Sequence, residues 1–229
     1  MQALRSLVYA IIFYPATLLF VLAGIAATLI GTGPTRAVVH GWAHFHHWLA
    51  EALLGIRSVM EGRIPEGAVL IAVKHGSMYE TLEALRIAET PVVVLKHELS
   101  SLPLFGWLTR RYGVIPVDRA AGAKALREMM KLGRQAAQNG RPVLIFPEGT
   151  RVPVGAAPPL GSGFAGLYRA LGLPVVPVAV DSNRLWGRGL VKQRGTIHFK
   201  VGDTIPPGLK REEIERRVHA AINAFESAA

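Results

Sequence analysis

Residues 7–30 form an unbroken apolar stretch, and no charged side chain occurs between Ser6 and Thr35. As a helix that stretch would run about 36 Å, enough for a ~30 Å hydrocarbon core and longer than a ~7–15-residue signal-peptide core. The pattern therefore predicts a helix in contact with lipid. Pro15 lies inside it and marks a place for a kink, so a half-inserted hairpin fits as well as a full span. Gly31, Gly33 and Pro34 are expected to end this helix, and from Thr35 onward Val38, Trp42, Phe45, Leu49 and Leu53 recur at helical spacing. Two helices joined by a tight turn are thus expected to open the chain.

After Pro65-Glu66-Gly67 the pattern changes. Ala68–Val73, Pro91–Leu95, Gly113–Val117, Pro142–Phe146 and Pro174–Val180 are short, nearly continuous apolar runs, the pattern of strands buried on both faces of a parallel sheet. Helical periodicity separates some of them: Ala120–Asn139 places Leu126, Met129, Met130, Gly133 and Ala137 on one face and stops at Gly140. Thr196–Val201 alternates apolar and polar positions in the manner of an edge strand, and Lys210–Ser227 reads as a charged amphipathic helix. Alternating strands and helices predict an α/β fold with a mostly parallel central sheet flanked by helices. The expected division is an N-terminal membrane-associated two-helix element over residues 1–62 and an α/β domain over residues 63–229.

Composition narrows the chemistry. A chain of 229 residues leaves room for one domain and an appendage, and its 18% charged residues fall below the ~25% of ordinary soluble chains. With no cysteine, thiol nucleophiles and thiolate metal sites are excluded. The net charge of +10 favours an anionic partner, and ten Lys or Arg against four Asp or Glu between Lys96 and Arg151 place +6 of it there. His40 and His44 have the i, i+4 spacing of a metal pair, but aromatic residues interleave them and no carboxylate accompanies them. Packing or interfacial histidines are therefore expected, with no metal and no cofactor.

Three segments carry candidate chemistry. In Val73-Lys74-His75-Gly76-Ser77-Met78-Tyr79-Glu80 a histidine follows a buried strand and a carboxylate comes five residues later. On one unbroken helix these side chains would diverge by about 140°, so Gly76 must break the chain if imidazole and carboxylate are to meet. A carboxylate on one ring nitrogen would leave the other to accept a proton from a substrate hydroxyl. Ser77-Met78-Tyr79-Glu80 also matches a helix capping box, which would engage Glu80 with backbone instead. The second segment is Phe146-Pro147-Glu148-Gly149-Thr150-Arg151, and the third is Ile115-Pro116-Val117-Asp118-Arg119, with Lys96 closing the strand before it. All lie at the carboxyl ends of expected strands, where open α/β sheets bind ligands.

His75-x4-Glu80, Val117-Asp118-Arg119, Phe146–Arg151 and Val176-Pro177-Val178 resemble, in order and spacing, the four sequence blocks of the bacterial lysophospholipid acyltransferases. The resemblance implies transfer of a fatty acyl group from acyl-CoA or acyl carrier protein to a lysophospholipid acceptor, 1-acyl-sn-glycerol-3-phosphate first among them. It implies catalytic roles for His75 as general base and Glu80 as its orienting partner. It also implies substrate binding by Lys96, Arg119, Glu148, Gly149, Thr150 and Arg151, with Lys96 or backbone N–H groups near Gly149 as donors to the developing oxyanion. The implied location is the cytoplasmic (inner) membrane, with the catalytic domain facing the cytoplasm and no nucleic acid partner. Two positions depart from the family: Glu80 stands where Asp is usual, and Leu160-Gly161-Ser162-Gly163 stands where a lysine is frequent. The second departure keeps a lysolipid with a different headgroup in view.

Rival readings have less behind them. Gly161-Ser162-Gly163-Phe164-Ala165-Gly166 satisfies G-x-G-x-x-G but follows a Pro-rich loop rather than a strand, and G-x-S-x-G does not occur. A membrane-attached lipid carrier with an idle base pair is the non-enzymatic alternative.

Overall fold

The computed structural model describes residues 1–118 and 121–226. Helices α1 (Gln2–Thr28) and α2 (Thr32–Leu49) open the chain, joined by the turn at residues 29–31. Gly33 and Pro34 therefore lie in the first turn of α2 rather than in the connection, a position where proline loses no helical hydrogen bond. A π-helical turn, Ala50–Leu54, leads into β1 (Ile56–Glu61). The remaining elements are β2 (Leu70–Val73), α3 (Tyr79–Ile87), β3 (Val92–Lys96), α4 (His97–Ser100), α5 (Phe105–Tyr112), β4 (Ile115–Val117), α6 (Gly122–Gln138) and β5 (Val143–Ile145). They are followed by α7 (Ser162–Leu171), β6 (Val175–Val180), β7 (Gly195–Val201) and α8 (Arg211–Ile222).

The seven strands form one sheet in the order β1-β7-β6-β2-β5-β3-β4, with parallel pairing throughout except between β6 and β7. Two sequence expectations shift here. Strand β1 joins the sheet, which therefore begins at Ile56, ahead of the division drawn at residue 63. Strand β7 is not an edge: β1 covers it, and its alternation arises because Ile197 and Phe199 are buried while its other face is exposed.

Strand β2 sits at the centre, and all four of its residues are buried. Successive side chains point to opposite faces, so Leu70 and Ala72 pack with Met129 of α6, Phe164 of α7 and Ile214 of α8. Ile71 and Val73 pack toward Leu49 of α2 and Leu82 of α3. With both faces covered, the central strands need no polar alternation, and they carry almost none.

The N-terminal helices dock through an aromatic cluster around His46, which is fully buried. Its ring lies 5.4 Å from Phe13, 5.2 Å from Tyr79 and 5.5 Å from Trp186 between centroids. Beside it, fully buried Glu83 of α3 takes His47 Nδ1 at 3.1 Å, the Ser58 hydroxyl at 3.2 Å and Arg86 at 2.9 Å. One carboxylate thus ties α2, β1 and α3 together.

Burial pushes the His46 imidazole down from its ordinary 6.5 to about 4. The fold holds it neutral, so above pH ~6.5 protonation makes no difference; below that the unfolded chain gains a proton that the fold refuses. Stability should fall by ~1.4 kcal/mol per pH unit from this group as pH drops through that window, and level off near pH 4. Thermal melts of wild type and His46→Leu across pH 7.5 to 4 check this: the variant should lose that part of the acid slope.

Candidate active site

The carboxyl ends of neighbouring strands supply the site. Ser182 follows β6, His75 follows β2, Glu148 follows β5 and Lys96 closes β3, strands that lie side by side in the sheet. After Val73 the chain leaves β2 through Lys74, His75 and Gly76 before α3 begins at Tyr79. A Cβ on Gly76 would come within 2.9 Å of Asn183 Cβ, so only glycine lets this loop lie against the segment after β6.

That break brings the two side chains together: His75 Nδ1 lies 2.8 Å from Glu80 Oε1. The same oxygen accepts the Ser77 N–H at 2.7 Å, while the Tyr79 N–H donates to Ser77 Oγ at 3.0 Å. The His–Glu pair and one half of the capping box, the carboxylate's bond to the Ser77 N–H, are thus made by the same oxygen, while the helix itself starts after Met78. Glu80 is fully buried, and its Oε2 takes the hydroxyls of Ser77 at 2.6 Å and Ser182 at 2.5 Å. Four donors around a buried carboxylate meet its hydrogen-bonding needs and leave it one orientation. With Nδ1 engaged, His75 leaves Nε2 to the cavity it lines.

Two cavities meet at this point. A polar one of about 590 Å³ is lined by His75, Lys96, Glu148 and Gly149 together with the starts of α6 and α7. An apolar one of about 390 Å³ runs between Phe13 and Val21 of α1, Trp42 of α2, Leu82 of α3 and Leu108 of α5. Val94, Leu95 and Phe146 line both, and the Phe146 ring stacks on His75 with centroids 4.4 Å apart. An imidazole therefore stands where a charged chamber adjoins a greasy one.

The remaining candidate residues are not equivalent. Lys96 is exposed at the mouth of the polar cavity, with Nζ 2.8 Å from Glu98. Glu148 is buried with both oxygens toward protein: Oε2 accepts the His75 N–H at 2.7 Å, and Oε1 lies 3.3 Å from Lys74 Nζ. Its Oε2 supports the histidine's backbone, while the residue also lines the polar cavity. Burial pushes its carboxyl above the ordinary carboxylate range, while the His75 N–H and Lys74 pull the other way. Gly149 turns the chain at φ 76°, but its own N–H is engaged by the Phe146 carbonyl at 3.0 Å and is not a spare oxyanion donor. Thr150 and Arg151 fall on the exposed turn beyond, outside the cavity lining. Arg119 lies outside the described residues.

Sequence reasoning missed Ser182 and Lys74. No motif marks Ser182, which reaches Glu80 only because β6 pairs with β2. Lys74 had a signal: a lysine between a buried strand and a candidate base.

The chain matches the acyltransferase family over residues 56–181. It is 37% identical over 191 residues to the 1-acyl-sn-glycerol-3-phosphate acyltransferase of Pseudomonas aeruginosa, covering 82% of this chain and 73% of that one. It is 28% identical over 197 residues to the lyso-ornithine lipid O-acyltransferase of the same organism, covering 76% of this chain and 75% of that one. The crystal structure of the 1-acyl-sn-glycerophosphate acyltransferase PlsC from Thermotoga maritima superposes with a TM-score of 0.81 at 22% identity, over 99% of this chain and 97% of that chain.

The geometry predicts that neutral His75 carries its proton on Nδ1. Nitrogen-15 NMR of ring-labelled protein should find the bare, pyridine-type nitrogen at Nε2, and Glu80→Ala should mix the two tautomers. A wild-type ring protonated on Nε2 would contradict the arrangement.

Proposed function

Because the chain belongs to the acyltransferase family, we propose that it moves a fatty acyl group from acyl-CoA or acyl carrier protein to the free hydroxyl of a lysophospholipid, with 1-acyl-sn-glycerol-3-phosphate as acceptor. The observation that carries this reading is the meeting of two unlike cavities at His75 and Phe146. A phosphate headgroup suits the polar side with Lys96, and an acyl chain suits the apolar side.

In this reading His75 Nε2 takes the proton of the acceptor hydroxyl as its oxygen attacks the thioester carbonyl carbon. Glu80 holds the ring through Nδ1–H and stabilises the imidazolium that forms. The tetrahedral intermediate carries its negative charge on the former carbonyl oxygen, and Lys96, a cation among the described residues lining the cavity, is placed to meet it. Collapse breaks the C–S bond, and the departing sulfur takes the proton back from His75. Both substrates are used directly, so no acyl-enzyme nucleophile is required.

Helix α1 supports membrane attachment. Ile11 (62%), Leu18 (52%) and Leu19 (66%) are exposed, whereas Tyr9, Phe13 and Val21 are buried against the protein. A helix of 27 residues with one face packed and a broad apolar face bare is suited to lie in lipid beside its substrate. Cytoplasmic orientation follows from the thioester donors, which are cytoplasmic metabolites.

The start of α7 supports a second acceptor. Gly161, Ser162 and Gly163 bring no cation to the polar cavity, and a lyso-ornithine lipid acyltransferase is among the relatives, so a lysolipid without a bare phosphate is the other substrate to test.

Detergent-solubilised protein should acylate lysophosphatidic acid from acyl-CoA or acyl carrier protein, and His75→Ala should lower kcat by about 10²–10⁴. A parallel lyso-ornithine lipid arm reads acceptor choice. Turnover unaffected by His75→Ala would sink the mechanism, and no product from any acceptor would leave a lipid carrier. In a separate test, Ile11→Glu/Leu18→Glu should reduce flotation with lipid vesicles while the circular dichroism of the α/β domain stays as in wild type.

A further inference from the structure

Lys74 occupies the position just before His75, at the end of the central strand, and only 1% of it is exposed. It lines neither cavity. A charged side chain so placed is tolerated only among oxygens, and four converge on it. Nζ donates to the Ala156 carbonyl at 2.9 Å and to Asn223 Oδ1, and it stands 3.3 Å from Glu148 Oε1 and 3.7 Å from Glu226 Oε1. Asn223 and Glu226 follow α8, at the far end of the sequence from the His75 loop. Glu226 also accepts the Gly155 N–H at 2.6 Å, which pins the loop after Arg151 to the same point.

Of these four partners, Glu148 leads back to the site, because its other oxygen accepts the His75 N–H. We propose that Lys74 is a positioning residue for acyl transfer: its ammonium holds the Glu148 carboxylate on the His75 N–H and so fixes the loop that aims the imidazole, with Asn223 and Glu226 as the distant anchor. The proposal rests on the reading of His75 as the base. His75 is then held from three sides, by Glu148 on its N–H, by Glu80 on Nδ1, and by the Val152 N–H on its carbonyl at 2.7 Å. Without the cation, the buried Glu148 carboxyl faces a desolvation that already pushes it toward the protonated form. A neutral acid is a weaker acceptor for the His75 N–H, and the ring loses its fixed approach to the hydroxyl. A lysine that merely tethered the C-terminal residues would act independently of Glu148.

The test measures kcat and KM for Lys74→Met, Glu148→Gln and the double variant, with melts and circular dichroism beside each. Lys74→Met keeps the length of the side chain and removes its charge. It should lower kcat about tenfold or more while leaving KM for both substrates within about twofold, since Lys74 touches neither cavity. The double variant, which removes both members of the Lys74–Glu148 pair, should turn over faster than Lys74→Met and no slower than Glu148→Gln. A folded Lys74→Met with wild-type kcat overturns the proposal, and so does a double variant slower than Glu148→Gln. Should Lys74→Met fail to fold, that last comparison decides by itself. Wild-type protein inactive on every acceptor fails the acyl-transfer reading and this proposal together; active wild type with an indifferent Lys74→Met fails this proposal alone.

Discussion

The site is organised around one constraint, the Glu80 carboxylate enclosed without solvent. Removed from water, such a group must find donors for both oxygens or cost the fold several kcal/mol. It finds them in His75 Nδ1, the Ser77 N–H and the hydroxyls of Ser77 and Ser182. Three belong to the loop between β2 and α3, and the fourth comes from the end of β6. Glu80 therefore locks the imidazole's orientation and registers two neighbouring strands at their carboxyl ends. A residue one methylene shorter would have to approach by a different rotamer, so the glutamate here and the path of the Gly76 loop belong together.

The sheet explains why the polar and apolar chambers adjoin. Strand β5 ends at Ile145, and the next residue, Phe146, lies against the imidazole and lines both cavities. On one side the small residues at the starts of α6 and α7, with Lys96 and Glu148, line the more polar space. On the other, α1, α2 and α5 wrap an apolar space with aromatic and branched aliphatic side chains. The two N-terminal helices thus line the apolar cavity, and the His46 and Glu83 contacts seat them there.

Much of this was legible beforehand. The five apolar runs of the sequence correspond to β2–β6, because strands covered on both faces carry a nearly unmixed apolar composition that no helix periodicity imitates, and the alternating run Thr196–Val201 is β7, buried on one face. Strand β1 went unseen: Ile56 is buried, but Arg57, Val59, Met60 and Glu61 are exposed, so it lacks the pattern that betrayed the others. In the site, the spacing from His75 to Glu80 indicated a pair, provided Gly76 broke the helix. The sequence could not decide between that pair and a helix cap, and the carboxylate makes the pair while also accepting the Ser77 N–H. Glu148 adds a contact that no spacing signalled, its Oε2 accepting the His75 N–H and its Oε1 lying beside Lys74.

By itself the amino-acid sequence determined the α/β class, the apolar opening helix, the likeness to the acyltransferases, and the strand ends that carry the candidate residues, since each is written in local periodicity or in short spacings. Tertiary structure alone decided that Ser182 completes the shell of Glu80, that Lys74 joins the C-terminal residues to the histidine loop, and that β7 is an interior strand. Those contacts join residues some 100 to 150 positions apart in the chain, and packing, not local pattern, brings such residues within hydrogen-bonding distance.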